Sequence, residues 1–279
     1  MSDELHWAIF DGNAWSPKGQ IGTCTTSHAP ALAVYKNALY CAYTATDKKV
    51  NWMKLNGSWS DPAQIADSMS SDAPALAVAQ DKLYCAHRGA DHDTKLYSVA
   101  LTGNTWESTR SEISGVVSSL GPGLATYKNN LYCVCYDDQT KKLATQVRDA
   151  GQWKVGPAPD GSPQGAPALA AYQARLWCAY PGKEEGSSLN WTTLVGTSWR
   201  AEQDFPQHVG GSKPALSVYS GLLHCFHLDT DGSSLSWSTS RGDGWSQDQR
   251  TGLRSKSAPG VAPLADKLYC VYVNPSSHP

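Results

Sequence analysis

Short runs of alternating apolar and polar residues follow one another along the whole chain, and they recur in a fixed order. Each recurrence starts at the residue before a Pro, continues as an alternating apolar run, crosses a two-residue polar turn and enters a second run centred on a Cys. Alternation with a period of two predicts β-strands, and a two-residue polar turn between two strands predicts a tight hairpin. The units begin at residues 29, 73, 121, 166, 213 and 258, a spacing of 44 to 48 residues. A period of this length is typical of one blade of a β-propeller.

The second half of each unit supplies two further strands. A polar loop leads to a third run, such as Leu189-Asn190-Trp191, and a Gly-containing turn then precedes a Trp that opens a fourth run. Four short antiparallel strands per unit are the architecture of a propeller blade. Residues 1–28 match the second half of a unit and residues 258–279 match the first half, so the two chain ends together form a sixth blade.

The repeat therefore predicts an all-β fold, a six-bladed β-propeller with four antiparallel strands per blade and one blade shared between the N- and C-termini. We expect a single β-propeller domain over residues 1–279, without linkers. The predicted blades are 29–72, 73–120, 121–165, 166–212, 213–257, and 258–279 together with 1–28.

The tryptophans fall into two columns of the repeat. One column opens the fourth strand, as expected if packing between blades demands a large side chain there; it comprises Trp15, Trp59, Trp106, Trp153, Trp199 and Trp245. The column on the third strand reads Trp7, Trp52, Ser98, Thr145, Trp191 and Trp237. Because two units do without an aromatic side chain here, we expect Trp191→Ala and Trp237→Ala to abolish ligand binding and to leave the melting temperature unchanged. Packing between blades remains the alternative interpretation of this column.

Loop lengths indicate which face of the propeller carries function. The connections between first and second strands and between third and fourth strands are short, and the topology places them on one face, here called the turn face. The loops between second and third strands vary in length and charge, and the topology places them on the opposite face, here called the loop face. The Ser-rich connections between blades lie on the loop face as well. Variable polar loops on a rigid scaffold are a common place for recognition. We therefore expect binding at the loop face.

Aromatic and polar groups are combined at the loop face two positions after each repeated Cys. These positions hold Tyr43, His87, Cys135, Tyr180, His227 and Tyr272. A third-strand Trp beside such a Tyr or His offers a flat apolar surface for C–H groups and hydrogen bonds for hydroxyl groups, which suits a sugar. The alternative is that these residues only end strands at the solvent boundary. The candidate ligand-binding residues are Trp7, Tyr43, Trp52, His87, Arg88, Tyr180, Trp191, His227, Trp237 and Tyr272.

Six of the eight cysteines occupy one repeated strand position, and this placement argues against disulfides. Equivalent positions in neighbouring blades are about 10 Å apart by strand-spacing geometry, beyond the Cα separation of about 7 Å that a disulfide tolerates. We expect free, buried thiols that act as small apolar side chains. Zinc-ligand spacings are absent from the sequence, so no metal and no cofactor is expected.

Charge and the first residues narrow the partners further. The net charge of −2 provides no basic field for nucleic acid or anionic lipid, so neither nucleic-acid binding nor membrane insertion is expected. The acidic start, Met1-Ser2-Asp3-Glu4, lacks the features of a signal peptide. Together with free thiols it predicts a cytoplasmic protein. The pattern leaves the oligomeric state open.

The unit that starts at residue 73 carries a family resemblance. Ala73-Pro74-Ala75-Leu76 leads to Leu83-Tyr84-Cys85-Ala86-His87-Arg88-Gly89, followed by a Leu, an aromatic residue, a Gly turn and a Trp. This repeat resembles that of the Photorhabdus-type fucose-binding propeller lectins and is similar to fungal propeller lectins, including six-bladed fucose lectins. The resemblance covers all six units and implies a multivalent lectin for glycans or glycoconjugates, with fucose as the first expectation and with sites between adjacent blades.

Two departures from the family qualify this expectation. The Photorhabdus-type proteins have seven blades, and the His-Arg-Gly signature stands in this chain only at residues 87–89, which implies that several of the six sites are inactive. A lectin stored in the cytoplasm would meet foreign glycans after its release.

Two other functions stay open. A sialidase-like glycoside hydrolase needs paired carboxylates or an activated nucleophile in one central pocket, whereas the acids here are scattered over blade-specific loops. We therefore expect no catalytic residues and no enzyme activity. A propeller that serves as a protein-interaction scaffold is the second alternative, although the Trp-Asp and Gly-His signatures of the common scaffold repeat are absent from the sequence.

Overall fold

Six antiparallel sheets make up the computed structural model, which describes residues 3–182, 189–206 and 212–275. Within these residues every helix or strand assigned is a strand, so the predicted all-β class is confirmed. Each sheet contributes four strand positions in antiparallel order, and the sheets close into a ring as a six-bladed β-propeller.

The blades are numbered by the order of their first strands along the chain. Blade 1 contains β3 (Ala31–Tyr35), β4 (Ala38–Thr44), β5 (Lys49–Asn56), β6 (Ser58–Trp59) and β7 (Ala63–Met69). Blade 2 contains β8 (Ala75–Ala79), β9 (Lys82–Arg88), β10 (Lys95–Thr102), β11 (Thr105–Trp106) and β12 (Ser111–Val117). Blade 3 contains β13 (Gly123–Tyr127), β14 (Asn130–Asp137), β15 (Lys142–Asp149) and β16 (Gln152–Val155).

The remaining blades follow the same order. Blade 4 contains β17 (Ala168–Tyr172), β18 (Arg175–Pro181), β19 (Leu189–Val195), β20 (Ser198–Trp199) and β21 (Gln203–Asp204). Blade 5 contains β22 (Ala215–Tyr219), β23 (Leu222–Leu228), β24 (Ser234–Ser240) and β25 (Gln249–Arg254). Blade 6 contains β26 (Gly260–Leu264), β27 (Lys267–Asn274), β1 (Glu4–Phe10) and β2 (Trp15–Thr25).

The innermost strand of each blade lies next to the central axis. Neighbouring innermost strands contact one another around the ring, in the order β3, β8, β13, β17, β22 and β26. The Ala of the repeated Ala-Pro pair lies where the strands converge, and Ala29, Ala73 and Ala258 form one buried cluster there. The small side chains of these three residues let their backbones approach the axis, whereas the equivalent position of blade 5 holds Lys213, whose ammonium donates to the Pro122 carbonyl oxygen (3.3 Å).

Both chain ends contribute to blade 6, as the repeat predicts. Its strand order is β2-β1-β27-β26, and Glu4–Phe10 pairs along its whole length with β27. The ring is therefore closed by a complete strand ladder, and closure leaves no open inner edge between the first and last parts of the chain.

The tight hairpins between first and second strands are also confirmed. Lys36 and Asn37 have φ values of 47° and 58°, and positive φ at both turn residues gives a turn whose twist matches that of the strands. The same pair of positive φ values recurs at 80–81, 128–129, 173–174 and 220–221. The turns thus set the same register between the first two strands in these blades.

A tyrosine at the end of the first strand fastens neighbouring blades at the turn face. The Tyr35 hydroxyl donates to the Asp81 carbonyl oxygen (2.8 Å) and accepts from the Gly103 amide (3.2 Å). The other tyrosines that donate to the next blade's hairpin turn are Tyr127, Tyr172 and Tyr219. Since Asp81 and Gly103 belong to the two kinds of short turn, these turns share one face as predicted. The four residues are called the interblade tyrosines below.

The fourth strand departs from the predicted pattern. It is short at the Trp and resumes after a break in blades 1, 2 and 4. Trp245 lies outside any strand, so the expectation that this Trp column opens the fourth strand in every unit is wrong for blade 5. In blade 3 the strand ends at Val155, and residues 156–167 form an irregular connection to the next blade.

All eight cysteines are free and buried, as the spacing predicts for the six at the repeated strand position. Burial raises the pKa of both Cys85 and Cys133 to about 12, because a thiolate is poorly solvated in the interior. These thiols are therefore protonated at neutral pH and serve as small apolar side chains.

Candidate functional site

Each gap between blades receives side chains from the third strand of one blade and from the fourth-strand region of the next. In four gaps a Trp from each side meets the other edge to face. The ring centroids of Trp7 and Trp59 are 5.9 Å apart at 89°. The equivalent pairs, at 6.0, 6.4 and 6.1 Å, are Trp52 with Trp106, Trp191 with Trp245, and Trp237 with Trp15. The two tryptophan columns therefore pack as one unit.

A ring from the second strand stacks on each third-strand Trp. Trp177 stacks on Trp191, and His224 on Trp237, both with centroids 4.9 Å apart. The other two stacked pairs are Tyr40 with Trp52 and Tyr269 with Trp7. Trp191 and Trp237 keep only 8% and 6% of their surface exposed. This burial opposes the expectation that both can be removed without loss of stability, because truncation of a buried Trp leaves a cavity.

The two gaps without a third-strand Trp are filled differently. Between blades 2 and 3, the Trp153 Nε1 donates to the Ser98 hydroxyl oxygen (3.1 Å), and the Arg148 guanidinium lies 5.0 Å from the ring centroid of Tyr84. Between blades 3 and 4, Thr145 stands in the Trp column and is buried. Variation in this column therefore changes the chemistry of the gap.

The Tyr and His residues predicted at the loop face are buried in the gaps. Strand register explains their position: Trp52 pairs with Ala42, whereas Tyr43 pairs with Asn51. Successive residues of a strand point to opposite faces, so Tyr43 and Trp52 lie on opposite faces of blade 1. The exposed fractions are 2% for Tyr43, 5% for Tyr272, 7% for Arg88 and 0% for His87, Tyr180 and His227.

The two kinds of predicted site residue meet across a gap instead of within a blade. Trp7 of blade 6 packs in one apolar cluster with Tyr43 of blade 1. Trp237 of blade 5 packs in one cluster with Tyr272 of blade 6. The structure thus joins these two pairs, and they lie inside the gap because neighbouring blades approach closely at this level.

Several polar atoms of the buried candidates are hydrogen-bonded within the fold, whereas His87 Nε2 and Arg88 Nε have no partner among the described residues. The Tyr180 hydroxyl donates to a Glu202 carboxylate oxygen, and the His227 Nε2 lies 3.2 Å from Asp248 Oδ1. Burial lowers the pKa of His87 to about 4, so its ring is neutral at pH 7.

Arg88 has a comparable role in the loop of its own blade. Its guanidinium donates to the backbone carbonyl oxygens of Ser119 (3.1 Å) and Asp91 (2.9 Å). These contacts tie the loop between β9 and β10 to the connection that follows β12. A role of His87 and Arg88 in ligand binding stays a prediction.

A cleft of about 520 Å³ opens between blades 5 and 6, and it is called the 5/6 cleft below. Its aromatic lining consists of Phe10, Trp15, Tyr219, His224 and Trp237. Its polar lining includes Asn13, Thr239, Gln249 and Arg250. Flat apolar surfaces and neutral hydrogen-bonding groups are thus combined in one concave site. Of the ten residues predicted to bind a ligand, Trp237 lines it.

The 5/6 cleft lies toward the turn face. Its rim includes Asn13, from the turn between β1 and β2, and Ser220, from the turn between β22 and β23. The expected location at the loop face does not apply to this cleft. One signal in the sequence points to it: His224 interrupts the aromatic position of the Leu-Tyr-Cys triplet, which no other unit fills with His.

The electrostatics of the 5/6 cleft favour a neutral or weakly polar ligand. Burial lowers the pKa of His224 to about 4, so the ring is uncharged at pH 7, with its Nδ1 3.1 Å from the Leu222 carbonyl oxygen. Arg250 is exposed at the rim, and its Nε lies 3.4 Å from Asp229 Oδ2. The cleft therefore offers one partly neutralised cation beside neutral aromatic walls.

Among residues 3–182, 189–206 and 212–275, no group of three or more His, Cys, Asp or Glu side chains is placed to hold a metal ion. No helix in these ranges is long and apolar enough to cross a membrane.

Comparison with known proteins identifies the fold. No protein-family model and no curated protein matches the chain. AofleA from Arthrobotrys oligospora is similar with a TM-score of 0.68 over 98% of this chain and 84% of that chain, at 12% identity. The Aleuria aurantia lectin, a six-bladed β-propeller with a fucose recognition mode, has a TM-score of 0.69 over 86% of this chain and 85% of that chain, at 14% identity.

A third similar structure is the SapL1 lectin in complex with α-methyl fucoside. Its TM-score is 0.63, with 88% of each chain covered at 16% identity. The similar structures thus include a fungal six-bladed β-propeller lectin with a fucose recognition mode and a lectin complexed with a fucoside, which agrees with the resemblance in the repeat. At these identities the similarity establishes the fold alone.

Proposed function

We propose that this protein is a non-catalytic lectin that binds glycans in clefts between its blades. The 5/6 cleft carries the proposal, because it combines the aromatic walls of Trp15 and Tyr219 with the polar groups of Asn13, Gln249 and Arg250. Sugar rings need both kinds of surface: their C–H faces pack on aromatic rings and their hydroxyl groups require hydrogen bonds. The volume of the 5/6 cleft falls in the range of small-molecule sites, roughly 300–1,000 Å³.

Fucose is the first candidate sugar. The support comes from the structural neighbours, since the Aleuria aurantia lectin recognises fucose and SapL1 is complexed with α-methyl fucoside. The aromatic lining of the cleft is compatible with fucose, because the methyl group of this 6-deoxy sugar adds apolar surface that Trp15 or Tyr219 can cover.

Several sites per molecule are part of the proposal. The Trp pair of the 5/6 gap recurs in three other gaps, so related clefts around the ring would face different directions. Weak single sites on one rigid body would bind a glycan-covered surface tightly, because linked binding can raise overall affinity by about 10²–10⁴. This arrangement suits recognition of dense surface glycans.

A non-catalytic role agrees with the chemistry at the end of the central axis where the innermost strands begin. Asp72 lies there and accepts hydrogen bonds from the amides of Ala73 (2.6 Å) and Gly121 (2.8 Å). Burial raises its pKa, but the hydrogen bonds from His28 and these amides outweigh burial and hold the pKa below the ordinary value. An ionised carboxylate committed to backbone amides is poorly suited to act as a general acid.

We also propose a cytoplasmic location. Eight free, buried thiols suit a reducing compartment. Detection of disulfides in the protein isolated from its native source would contradict this location.

A glycan array followed by titration calorimetry tests the proposed function. The protein should bind fucosylated glycans on the array, and methyl α-L-fucoside should bind in solution. Gln249→Ala should weaken binding at the 5/6 cleft by roughly five- to tenfold, the effect of one lost hydrogen bond. Gln152→Ala, on an exposed strand end outside the cleft, is the matched control and should bind like the unaltered protein.

The outcomes separate the alternatives. An array that stays blank at high protein concentration would refute the lectin proposal. A protein partner retained in a pull-down despite excess free sugar would favour an interaction scaffold. Turnover of a chromogenic glycoside would show a hydrolase.

A further inference from the structure

One lysine interrupts the ring of small residues around the central axis. The residues before the repeated Pro are Ala29, Ala73, Gly121, Ala166, Lys213 and Ala258. Blade 5 therefore places a long side chain where the other five blades place Ala or Gly. The Lys213 ammonium reaches blade 3 and donates to the Pro122 carbonyl oxygen (3.3 Å). The ring thus holds one cationic side chain among its six positions.

Lys213 borders a cavity of about 200 Å³ at the loop-face end of the axis, which is called the axial cavity below. The alanines of the ring form much of its wall. The Lys213 side chain is partly exposed, and it also lines a narrower space of about 90 Å³ that continues along the axis. A small molecule that enters the axial cavity can therefore reach this side chain.

The two lysines that line the axial cavity differ in their partners. The Lys256 ammonium is exposed and pairs with Asp3 Oδ1 (2.6 Å). The Lys213 ammonium forms no ion pair with any residue that the structure describes, and its one hydrogen bond within these residues is the contact with Pro122. Buried or partly buried cations are usually paired. Lys213 is thus a cation without a direct anionic partner in the described part of the chain.

Asp72 lines the same cavity but is engaged elsewhere. Its carboxylate accepts from the backbone amides of Ala73 (2.6 Å) and Gly121 (2.8 Å), and its Oδ1 lies 3.6 Å from His28 Nδ1. Burial lowers the pKa of the Lys213 ammonium, and the attraction of the Asp72 charge offsets this effect only in part. A larger fraction of Lys213 is therefore neutral at pH 7 than of an ordinary lysine, and the neutral amine carries the reactive lone pair.

A neutral amine in a small cavity is suited to condensation with a carbonyl group. The nitrogen lone pair attacks the carbonyl carbon and forms a C–N bond, while the carbonyl oxygen takes up a proton. The amine then loses its two hydrogens, which leave with this oxygen as water, and a C=N bond remains. Amine and aldehyde thus give one imine and one water. The protonated imine keeps one N–H, which can still donate to the Pro122 carbonyl oxygen.

We propose that Lys213 is a covalent binding site for small aldehydes, which it holds as an imine in the axial cavity. An aldehyde carries one carbon substituent on its carbonyl group, so it needs less room between the Ala side chains than a ketone does. The ring position of Lys213 lies at the axis, away from the clefts between the blades. The inference therefore goes beyond the proposed lectin function and does not depend on it.

Reductive trapping tests the inference on the full chain. Propanal and sodium cyanoborohydride at pH 7 convert each imine into a stable secondary amine, and mass spectrometry of peptides gives the rate at each lysine. Lys213 should react at least about tenfold faster than the paired Lys256 and the exposed Lys18, a difference of about 1.4 kcal/mol in activation free energy. A rate at Lys213 that does not exceed the rates at both reference lysines would overturn the inference.

Two variants at Leu120 separate the charge around Lys213 from simple access to it. Leu120 lines the axial cavity, is partly exposed and stands at the repeat position that Asp72 holds one unit earlier, so an acidic side chain is tolerated there. Leu120→Asp favours the charged form of Lys213 and should slow its trapping by about tenfold. Leu120→Asn has nearly the same shape without the charge, and Lys213 should react in it as in the unaltered protein.

Equal trapping rates at Lys213 in the two Leu120 variants would also overturn the inference. Circular dichroism establishes that both variants are folded before the rates are compared. Binding to the glycan array is measured separately and reports on the clefts between blades. A failure at Lys213 would therefore leave the proposed lectin function intact, and a blank array would leave the Lys213 result intact.

Discussion

Replacing Trp237 by Ala tests whether the third-strand tryptophans hold the blades together. The side chain is 6% exposed. The centroid of its ring lies close to the ring centroids of four neighbours, at 4.9 Å for His224, 5.0 Å for Phe10, 5.6 Å for Phe226 and 6.1 Å for Trp15. Truncation of a buried Trp costs about 3–5 kcal/mol, and the lost aromatic pairs favour the upper part of that range. For a domain of this size each kcal/mol lowers the melting temperature by about 2–4 °C, so the expected decrease is roughly 6–20 °C.

Thermal unfolding followed by circular dichroism at pH 7.5 measures the change. Trp237→Phe keeps an aromatic ring in the gap and should lose less than half as much stability. Gln249→Ala, at the exposed rim of the same cleft, should stay within about 0.5 kcal/mol of the unaltered protein. If Trp237→Ala melts within about 2 °C of the unaltered protein, the packing argument is refuted and the column regains its interpretation as a surface for ligands alone.

Two further measurements examine the turn face and the pH dependence of stability. Tyr35→Phe removes one donated and one accepted hydrogen bond and should lower the free energy of unfolding by about 1–3 kcal/mol. Tyr127→Phe removes one donated hydrogen bond and should lower it by about half as much. Equal losses of stability in urea unfolding would contradict the role given to the interblade tyrosines. Burial lowers the pKa of His224 from 6.5 to about 4. Between these two pH values the unfolded chain binds a proton that the folded protein does not bind, so the stability of the folded protein falls as the pH falls. His224→Phe should therefore show a flatter decrease in melting temperature from pH 7.5 to pH 5 than the unaltered protein, and parallel curves would show that His224 is not buried as described.

The blade architecture could be predicted because each unit carries its own local signals. The Lys36-Asn37 turn fixes a hairpin by backbone conformation alone, and the same chemistry recurs at the equivalent positions of other units. The half-units at 1–28 and 258–279 complement one another in strand number, so the shared blade follows from counting. The signals within each unit lie close together in sequence, and the shared blade needs only a count of the strands at the two chain ends, so neither depends on tertiary contacts.

The burial of the candidate residues between the blades could not be predicted in the same way. A period of two shows that Tyr43 and Trp52 lie on strands, but the register between those strands decides that they face opposite gaps. How closely the next blade approaches depends on side chains from residues about one repeat away in sequence. Tyr43 and Tyr180 were therefore expected near solvent, and the structure buries them.

Irregular segments were the second source of difference. The irregular connection at residues 156–167 has no hydrophobic period, so the sequence contains no signal for its path between blades 3 and 4. Gln249 begins the outermost strand of blade 5, and Asn13 lies in the Gly turn before Trp15, a turn whose sequence differs between units. His224 was visible as an exception within the repeat, but its significance depended on the stacked Trp237 beside it.

The ladder between β1 and β27 also imposes an order on folding. The inner edge of β1 has no partner in its own chain until residues 267–274 have been synthesised, because these residues form the opposing strand. Pairing between strands so distant in sequence is slow relative to local hairpins. During this interval an unpaired edge can accept the same strand from another copy of the chain. The contact that closes the ring is thus also one at which two copies of the chain can exchange strands, and a high protein concentration during refolding should favour this exchange over ring closure.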